Sequence, residues 1–335
     1  MSAQPSPEIV IETLTDYQKS GALQGAIELD LFTAIAQGHS TAEALAEHCG
    51  ADPRGVRILC DFLSVHGFLI KQESCYRLTP ESSAFLVQYS PAYLGSISVF
   101  LNSGRLQQAF HDVAAAVRKG GTVLEQDGTV SQENPVWEKF ARGMAPLARH
   151  SAELIADQLK IENAGACKIL DIAAGHGFYG ITLARRNPQA QIHAADWPNV
   201  LQVASENARQ AGVSDRHQLI PGDAFQSEFG DGYDLVLLTN FLHHFDPPTC
   251  VELLRKVRSA LKPGGRAATL EFVPNPDRVS PPREAAFSLV MLCTTPCGDA
   301  YTFADLEEIF RLAGFQGSEL HSLEEISQHL VISYP

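Results

Sequence analysis

Residues 171–180, DIAAGHGFYG, set Gly175, Gly177 and Gly180 at the spacing G-x-G-x-x-G, directly after the apolar run CKIL of residues 167–170. A strand that ends in such a loop and feeds a helix turns backbone N–H groups toward a ligand, which can come close because glycine carries no Cβ. The spacing alone suits a dinucleotide pyrophosphate. Asp171, four residues before Gly175, points elsewhere, because a carboxylate at the strand end serves a cationic or hydroxyl-bearing ligand better than a phosphate. The following run, AQIHAAD, ends in Asp196, nineteen residues after Gly177, where a carboxylate can accept from ribose hydroxyls. That arrangement fits NAD and S-adenosylmethionine (SAM) equally.

Outward from this loop the chain alternates strand and helix. CKILDIAA, AQIHAAD, RHQLIPGDAF, YDLVLLTNFL, RAATLEFV and HLVISY read as strands; GFYGITLARRN, NVLQVASENARQAG, CVELLRKVRSALKPGG and TFADLEEIFRLAGF read as helices. This alternation predicts an open, largely parallel sheet with ligands at the carboxyl ends of its strands. The third strand ends at Asp223, able to accept from an adenine amino group, with Ala224 and Phe225 beside the ring. The LKPGG turn precedes a strand that carries Glu271.

Upstream the periodicity is different. ALQGAIELDLFTAIAQG places Leu23, Ile27, Leu31 and Ile35 on one stripe, STAEALAEHCG opens on a Ser40 or Thr41 cap and closes on Gly50, and a third helix from Pro53 runs into the hairpin GFLI and SCYRLTP. Three helices and a β-wing outline a winged helix. Its would-be recognition helix sets Arg54 and Arg57 against Asp52 and Asp61, which favours an oligomerisation module over a DNA reader. Residues 91–160 read as helical, with breaks at Gly120-Gly121 and EQDGTVSQENP.

Bulk properties exclude several classes. With 335 residues the chain has room for about two domains. A net charge of −14 and the lack of any dense Lys/Arg run argue against nucleic acid. No stretch of about 18 apolar residues and no basic leader argue against a membrane, so a cytoplasmic protein is expected. Seven scattered cysteines suit reduced thiols, and Cys293 with Cys297, the one close pair, lacks partners for a metal site.

The set ILDIAAGHG, AADWP, PGDAF, TNFLHHFDPP, ALKPGG, LEFV and FRLAGF, in this order, resembles the class I SAM-dependent methyltransferases. With the front segment ALQGAIELDLF, LCDFLSVHGFLI and YRLTP, nearly the whole chain resembles small-molecule O-methyltransferases, the family of caffeate, hydroxyindole and bacterial polyketide-tailoring enzymes. The resemblance implies a winged-helix-like dimerisation domain over residues 1–90, a helical connector over 91–160 that contributes to the acceptor pocket, and a SAM-binding catalytic domain over 161–335. The last is expected to be Rossmann-like, α/β, with a mostly parallel seven-stranded sheet.

The resemblance also implies a homodimer and a hydroxyl acceptor that is aromatic or polyketide-like, with S-adenosylhomocysteine (SAH) as product. Around the cofactor it sets Asp171, Ala173, Gly175, Gly177, Asp196, Trp197, Asp223, Ala224, Phe225 and Asn240. The family's general base falls on His243 and its orienting acid on Glu271. Phe140 and Met144 fall at the acceptor; His244 is read as lining the pocket or facing solvent, and Met291, Phe287 and Cys293, on one helix stripe, as candidates for another wall. Because a partner's N-terminal segment helps to close the family's pocket, the Leu23–Ile35 stripe is the expected dimer face. Where plant members carry a second glutamate this chain has Ala300, beside Asp299. That departure leaves open a carbon nucleophile or a protein that uses SAM without transfer; a SAM-sensing regulator and an NAD-dependent dehydrogenase are the remaining alternatives.

Overall fold

The computed structural model describes residues 5–125, 128–130 and 136–335. Part of EQDGTVSQENP, one of the two breaks read between residues 91 and 160, therefore lies outside the described residues. The chain separates into two compact units that meet in sequence at Ser103 and Gly104.

In the first unit, helices Glu8–Thr15, Tyr17–Glu28, Leu31–Ala36, Ala42–Cys49 and Pro53–Val65 precede an antiparallel hairpin of β1 (Leu69–Gln72) and β2 (Cys75–Leu78). Thr41 caps the fourth helix by accepting from the Ala44 N–H, and Gly50 ends it in the left-handed conformation. Asp52 caps the next helix, which has proline at its first turn. Arg57, the would-be DNA-reading cation, is instead paired with Asp61, which also holds Lys71 and the Tyr76 hydroxyl.

Half of the stripe expected at the dimer face, Leu31 and Ile35, points into this unit's own core. Leu31 is fully buried and Ile35 nearly so, packed with Phe32, Leu45 and Leu63 in this unit's own core, while Leu23 and Ile27 lean against it. Helical periodicity marks an apolar face, and the fold turned this one inward. Exposed apolar side chains cluster on the first helix at Ile9, Val10, Ile11 and Leu14, with Tyr17 just beyond it, while others, among them Val65, Tyr89 and Val99, are spread over the unit.

The second unit is built on a seven-stranded sheet of β3 (Cys167–Ile172), β4 (Ala190–Asp196), β5 (His217–Pro221), β6 (Tyr233–Thr239), β7 (Leu261–Glu271), β8 (Gly317–Ser322) and β9 (His329–Tyr334). Its order is β5-β4-β3-β6-β7-β9-β8. The first five strands are parallel, and β9 runs antiparallel to both neighbours. Strand residues alternate between two cores. Ile169, Leu235, Leu237 and Ala268 face the helices Ala145–Leu159 and Phe178–Arg186, whereas Leu170, Val236, Leu238 and Ala267 face Pro247–Ala260 and Phe303–Leu312.

Two local readings shift. The helix read through LKPGG stops at Ala260, and those five residues begin β7. β8, absent from the strands read in the sequence, is a sheet edge without a buried residue, so it carries no hydrophobic alternation to detect. The chain order reverses between β3 and β6, the switch point where ligands of open α/β sheets collect.

Candidate active site

The loops that leave β3, β4, β5 and β6 at their carboxyl ends, together with the helix Val136–Gly143, enclose one cavity. Ten of the residues singled out in the sequence line it: Phe140, Ala173, Gly175, Asp196, Trp197, Asp223, Ala224, Phe225, Asn240 and His244. Asp171, Gly177, Met144, His243, Glu271 and Met291 stand outside its wall.

The glycine loop is shaped by steric demands. Gly177 has φ +75°, and a Cβ there would meet the Ala204 Cβ at 3.0 Å; one on Gly180 would meet the Ile192 Cγ2 at 2.7 Å. Glycine at 177 lets the loop pack against the helix Pro198–Gln210, and glycine at 180 lets its helix approach β4. Asp171 sits beneath the loop, fully buried, with Oδ2 accepting from the Gly180 N–H at 3.1 Å and Oδ1 without a hydrogen-bond partner. Burial pushes its carboxyl up to about 7. Ala173 and Asn240, at the ends of β3 and β6, both hold positive φ (54° and 57°), an uncommon conformation for side chains with a Cβ that concentrates at functional sites.

Two carboxylates reach the cavity. Asp196 accepts from the Gly175 N–H at 2.8 Å through Oδ2 and from the Trp197 N–H at 2.7 Å through Oδ1, and burial raises it to about 6. Asp223 accepts from the Phe225 N–H at 2.9 Å. Lys256, which sequence reading missed, stiffens this corner: its ammonium donates to the carbonyls of Ala224, Phe225 and Ser227 at 3.0, 2.7 and 3.1 Å. Phe245 meets Phe225 and Phe241 edge-on, with centroids 5.0 and 5.1 Å apart. Other wall residues that the motifs did not mark are Trp137, His176, Tyr179 and Val200, whose side chains converge only through packing of separate elements.

Beside the cavity lies a buried imidazole–carboxylate pair. Glu271, at the end of β7, accepts from the backbone N–H groups of Phe241 and Leu242 at 3.1 and 2.9 Å through Oε1, and its Oε2 pairs with His243 Nδ1. The carboxylate thus ties the turn after β6 to β7 and aims the His243 ring. Asp299 does not supply a second clamp. Its N–H donates to the His243 carbonyl at 3.0 Å while its carboxylate bonds Arg278, and Ala300 is fully buried. From the helix Pro282–Thr294, Phe287 touches the His243 ring edge-on at 4.9 Å, whereas Met291 is buried. Met144 donates its N–H to the Phe140 carbonyl at 2.8 Å as the Ala145–Leu159 helix begins.

His244 is placed differently from its neighbour. It lines the cavity, meets Trp137 edge-on at 5.2 Å and is held neutral by burial and by His243 beside it. Among the described residues no cluster of His, Cys, Asp or Glu could hold a metal ion, and no helix is long and apolar enough to cross a membrane.

Residues 110–316 match the O-methyltransferase domain family and residues 11–88 match the O-methyltransferase dimerisation domain. The chain belongs to the O-methyltransferase family. The family's methyl donor is SAM, which sets aside the nicotinamide dinucleotide reading of the glycine loop. A crystal structure from Nostoc punctiforme PCC 73102, described as a candidate O-methyltransferase, is 48% identical with a TM-score of 0.96, covering 99% of this chain and 100% of that one. The 3-hydroxy-5-methyl-1-naphthoate 3-O-methyltransferase of Streptomyces sahachiroi is 28% identical, over 92% of this enzyme and 89% of the relative. Human N-acetylserotonin methyltransferase, solved with SAM, shares the fold at a TM-score of 0.85 and 20% identity, over 100% of this chain and 99% of that one.

Proposed function

We propose that this O-methyltransferase methylates a hydroxyl of a small aromatic or polyketide-like molecule, with His243 as general base, and acts as a cytoplasmic homodimer joined through its N-terminal unit. The residues at the cavity fit SAM. Asp196 and Asp223 offer acceptors at the ends of neighbouring strands, suited to ribose hydroxyls and an adenine amino group. Phe225 and Phe245 provide aromatic walls, and Ala173, Gly175 and Asn240 provide the loop backbone. Bound there, SAM would supply an electrophilic methyl group.

The observation that carries the reading is the buried His243–Glu271 pair beside this cavity. A carboxylate only accepts, so the imidazole proton resides on Nδ1 and the Nε2 lone pair stays available for a hydroxyl proton. Removing that proton as the bond forms is worth typically 10²–10⁴-fold for a phenol whose own acidity lies near 10. With Ala300 in place of a second carboxylate, orientation rests on Glu271 and on the Phe287 edge.

The test is to incubate purified protein with SAM and a panel of phenols, catechols and hydroxylated polyketides, reading SAH release and product mass. An O-methyl ether formed together with SAH is the expected result. No transfer to any member, or a carbon-methylated product, would overturn it.

A further inference from the structure

One more contact reaches the turn that carries His243, and it comes from two strands away. Gln328, the half-buried residue just before β9, donates from its Nε2 amide to Asn240 Oδ1 at the end of β6. The strand order β6-β7-β9 puts β7 between them, so the two side chains together bridge two strand spacings, about 10 Å, across the end of β7. The loop that presents Gln328 is anchored. Leu323 is buried in the core beneath the helices Ala145–Leu159 and Phe178–Arg186, and Ile326 packs against the same core. The next residue, His329, stands opposite Glu271 in the β7–β9 ladder.

At Asn240 the chain turns. Its φ of 57° is left-handed, and its N–H donates to the Leu270 carbonyl at 2.8 Å. Its two successors, Phe241 and Leu242, give their N–H groups to Glu271, and His243 follows. A residue with a Cβ keeps that conformation only where its surroundings over-determine it. Here one bond to the Asn240 backbone, from β7, and one to its side chain, from Gln328, hold the residue from both ends.

We propose that Gln328 is a positioning residue for methyl transfer. By holding the Asn240 side chain it fixes the first residue of the turn, and with it the place of the His243 ring against the acceptor oxygen. Glu271 sets the tautomer and aim of the imidazole, whereas Gln328 sets where the turn that bears it begins. This inference rests on the reading of His243 as general base.

The test replaces Gln328 by methionine, which keeps the length of the side chain and loses the donor, alone and together with Asn240→Ala. Turnover is measured on the full-length protein at saturating SAM with the fastest phenol of the panel, alongside SAH affinity by calorimetry and a thermal unfolding curve. Gln328→Met should lower kcat by roughly 10- to 100-fold, the effect of displacing a reacting group by about 1 Å. SAH affinity should stay within a few-fold and Tm within a few degrees. Part of the lost turnover should return at high pH, where the phenol ionises without a base. In the Asn240→Ala background the same change should cost less than about twofold, because the contact it removes is already gone.

A fall of less than about threefold in Gln328→Met would overturn the role, as would an undiminished loss on top of Asn240→Ala. A loss that disappears once turnover is expressed per folded molecule would overturn it too. Each of these outcomes leaves the base standing where His243→Ala still loses about 10²–10⁴ in kcat. Near-full turnover in His243→Ala would remove the base and this inference with it, and so would a panel in which no phenol is methylated.

Discussion

Replacing Glu271 by glutamine separates the orientation of the base from every other duty of that residue. The amide oxygen can keep the two backbone N–H bonds that Oε1 now accepts from Phe241 and Leu242, so the turn after β6 should hold. The amide nitrogen, however, would face His243 Nδ1 and donate to it. The imidazole proton would then move to Nε2, and the ring could no longer accept a proton from a hydroxyl. A carboxylate-to-amide exchange of this kind, with geometry kept, costs about 10⁴ in turnover in other base–carboxylate pairs, and the base's full contribution is typically 10²–10⁴. A loss of about 10²–10⁴ in kcat is therefore expected.

Alanine would be less informative at this position. It would strand two N–H groups and an imidazole in a site where Glu271 is only 2% exposed, at about 1–3 kcal/mol for each unpaired group. That is a large share of a typical 5–15 kcal/mol folding free energy. The assay for Glu271→Gln follows SAH release with the acceptor found by the panel, alongside SAH affinity by calorimetry and a thermal unfolding curve. Affinity should stay within a few-fold, since neither Glu271 nor His243 lines the cavity. Turnover should partly recover at high pH, as the phenol ionises unaided. Turnover within a few-fold of wild type would refute the tautomer argument, and so would a loss that merely tracked loss of SAH binding or of folding.

Asp196→Ala should weaken SAH binding by about 10- to 150-fold, the effect of removing a charged acceptor worth about 1.5–3 kcal/mol, as read by calorimetry. Because burial raises the Asp196 carboxyl to about 6 and its ionised form is the acceptor, SAH affinity in the wild type should be full above neutral pH. It should fall as pH drops through about 6, by roughly tenfold at one unit lower; a flat profile from pH 5 to 8 would contradict the assignment. Gly180→Ala forces a Cβ against the Ile192 Cγ2 and Asp171 Oδ2, and should cost about 1–3 kcal/mol, seen as a Tm lowered by several degrees. Light scattering should give about twice the 36.4 kDa chain mass, and Leu14→Asp on the exposed face of the first helix should shift it toward the monomer; a monomeric wild type would rule the dimer out.

Local chemistry made much of this protein legible from its residues. The change of hydrophobic period at Cys167, the glycine spacing from Gly175 to Gly180, and the carboxylates closing successive strands at Asp196 and Asp223 each depend on neighbours within one element or one loop. They survive reading as a string because strand and helix impose fixed periods. The pairing of His243 with Glu271 entered through family resemblance, since the two stand 28 residues apart and meet only because β6 and β7 are adjacent in the sheet.

Other features depended on how faces were paired, and there the string was silent or misleading. The Leu23–Ile35 stripe is apolar whether it faces a partner or its own core, and only packing around Phe32 and Leu63 shows that Leu31 and Ile35 of it face the core. Asp171 is read at the ligand, yet its carboxylate turns under the loop to the Gly180 N–H. Edge strand β8 buries nothing and so left no pattern. Trp137, His176 and Lys256 lie in segments whose own periodicity is satisfied by helix or loop. What they touch was decided by the assembly of the sheet with the helices around it, because a side chain's orientation follows from its own backbone while its partner across a cavity follows from the fold.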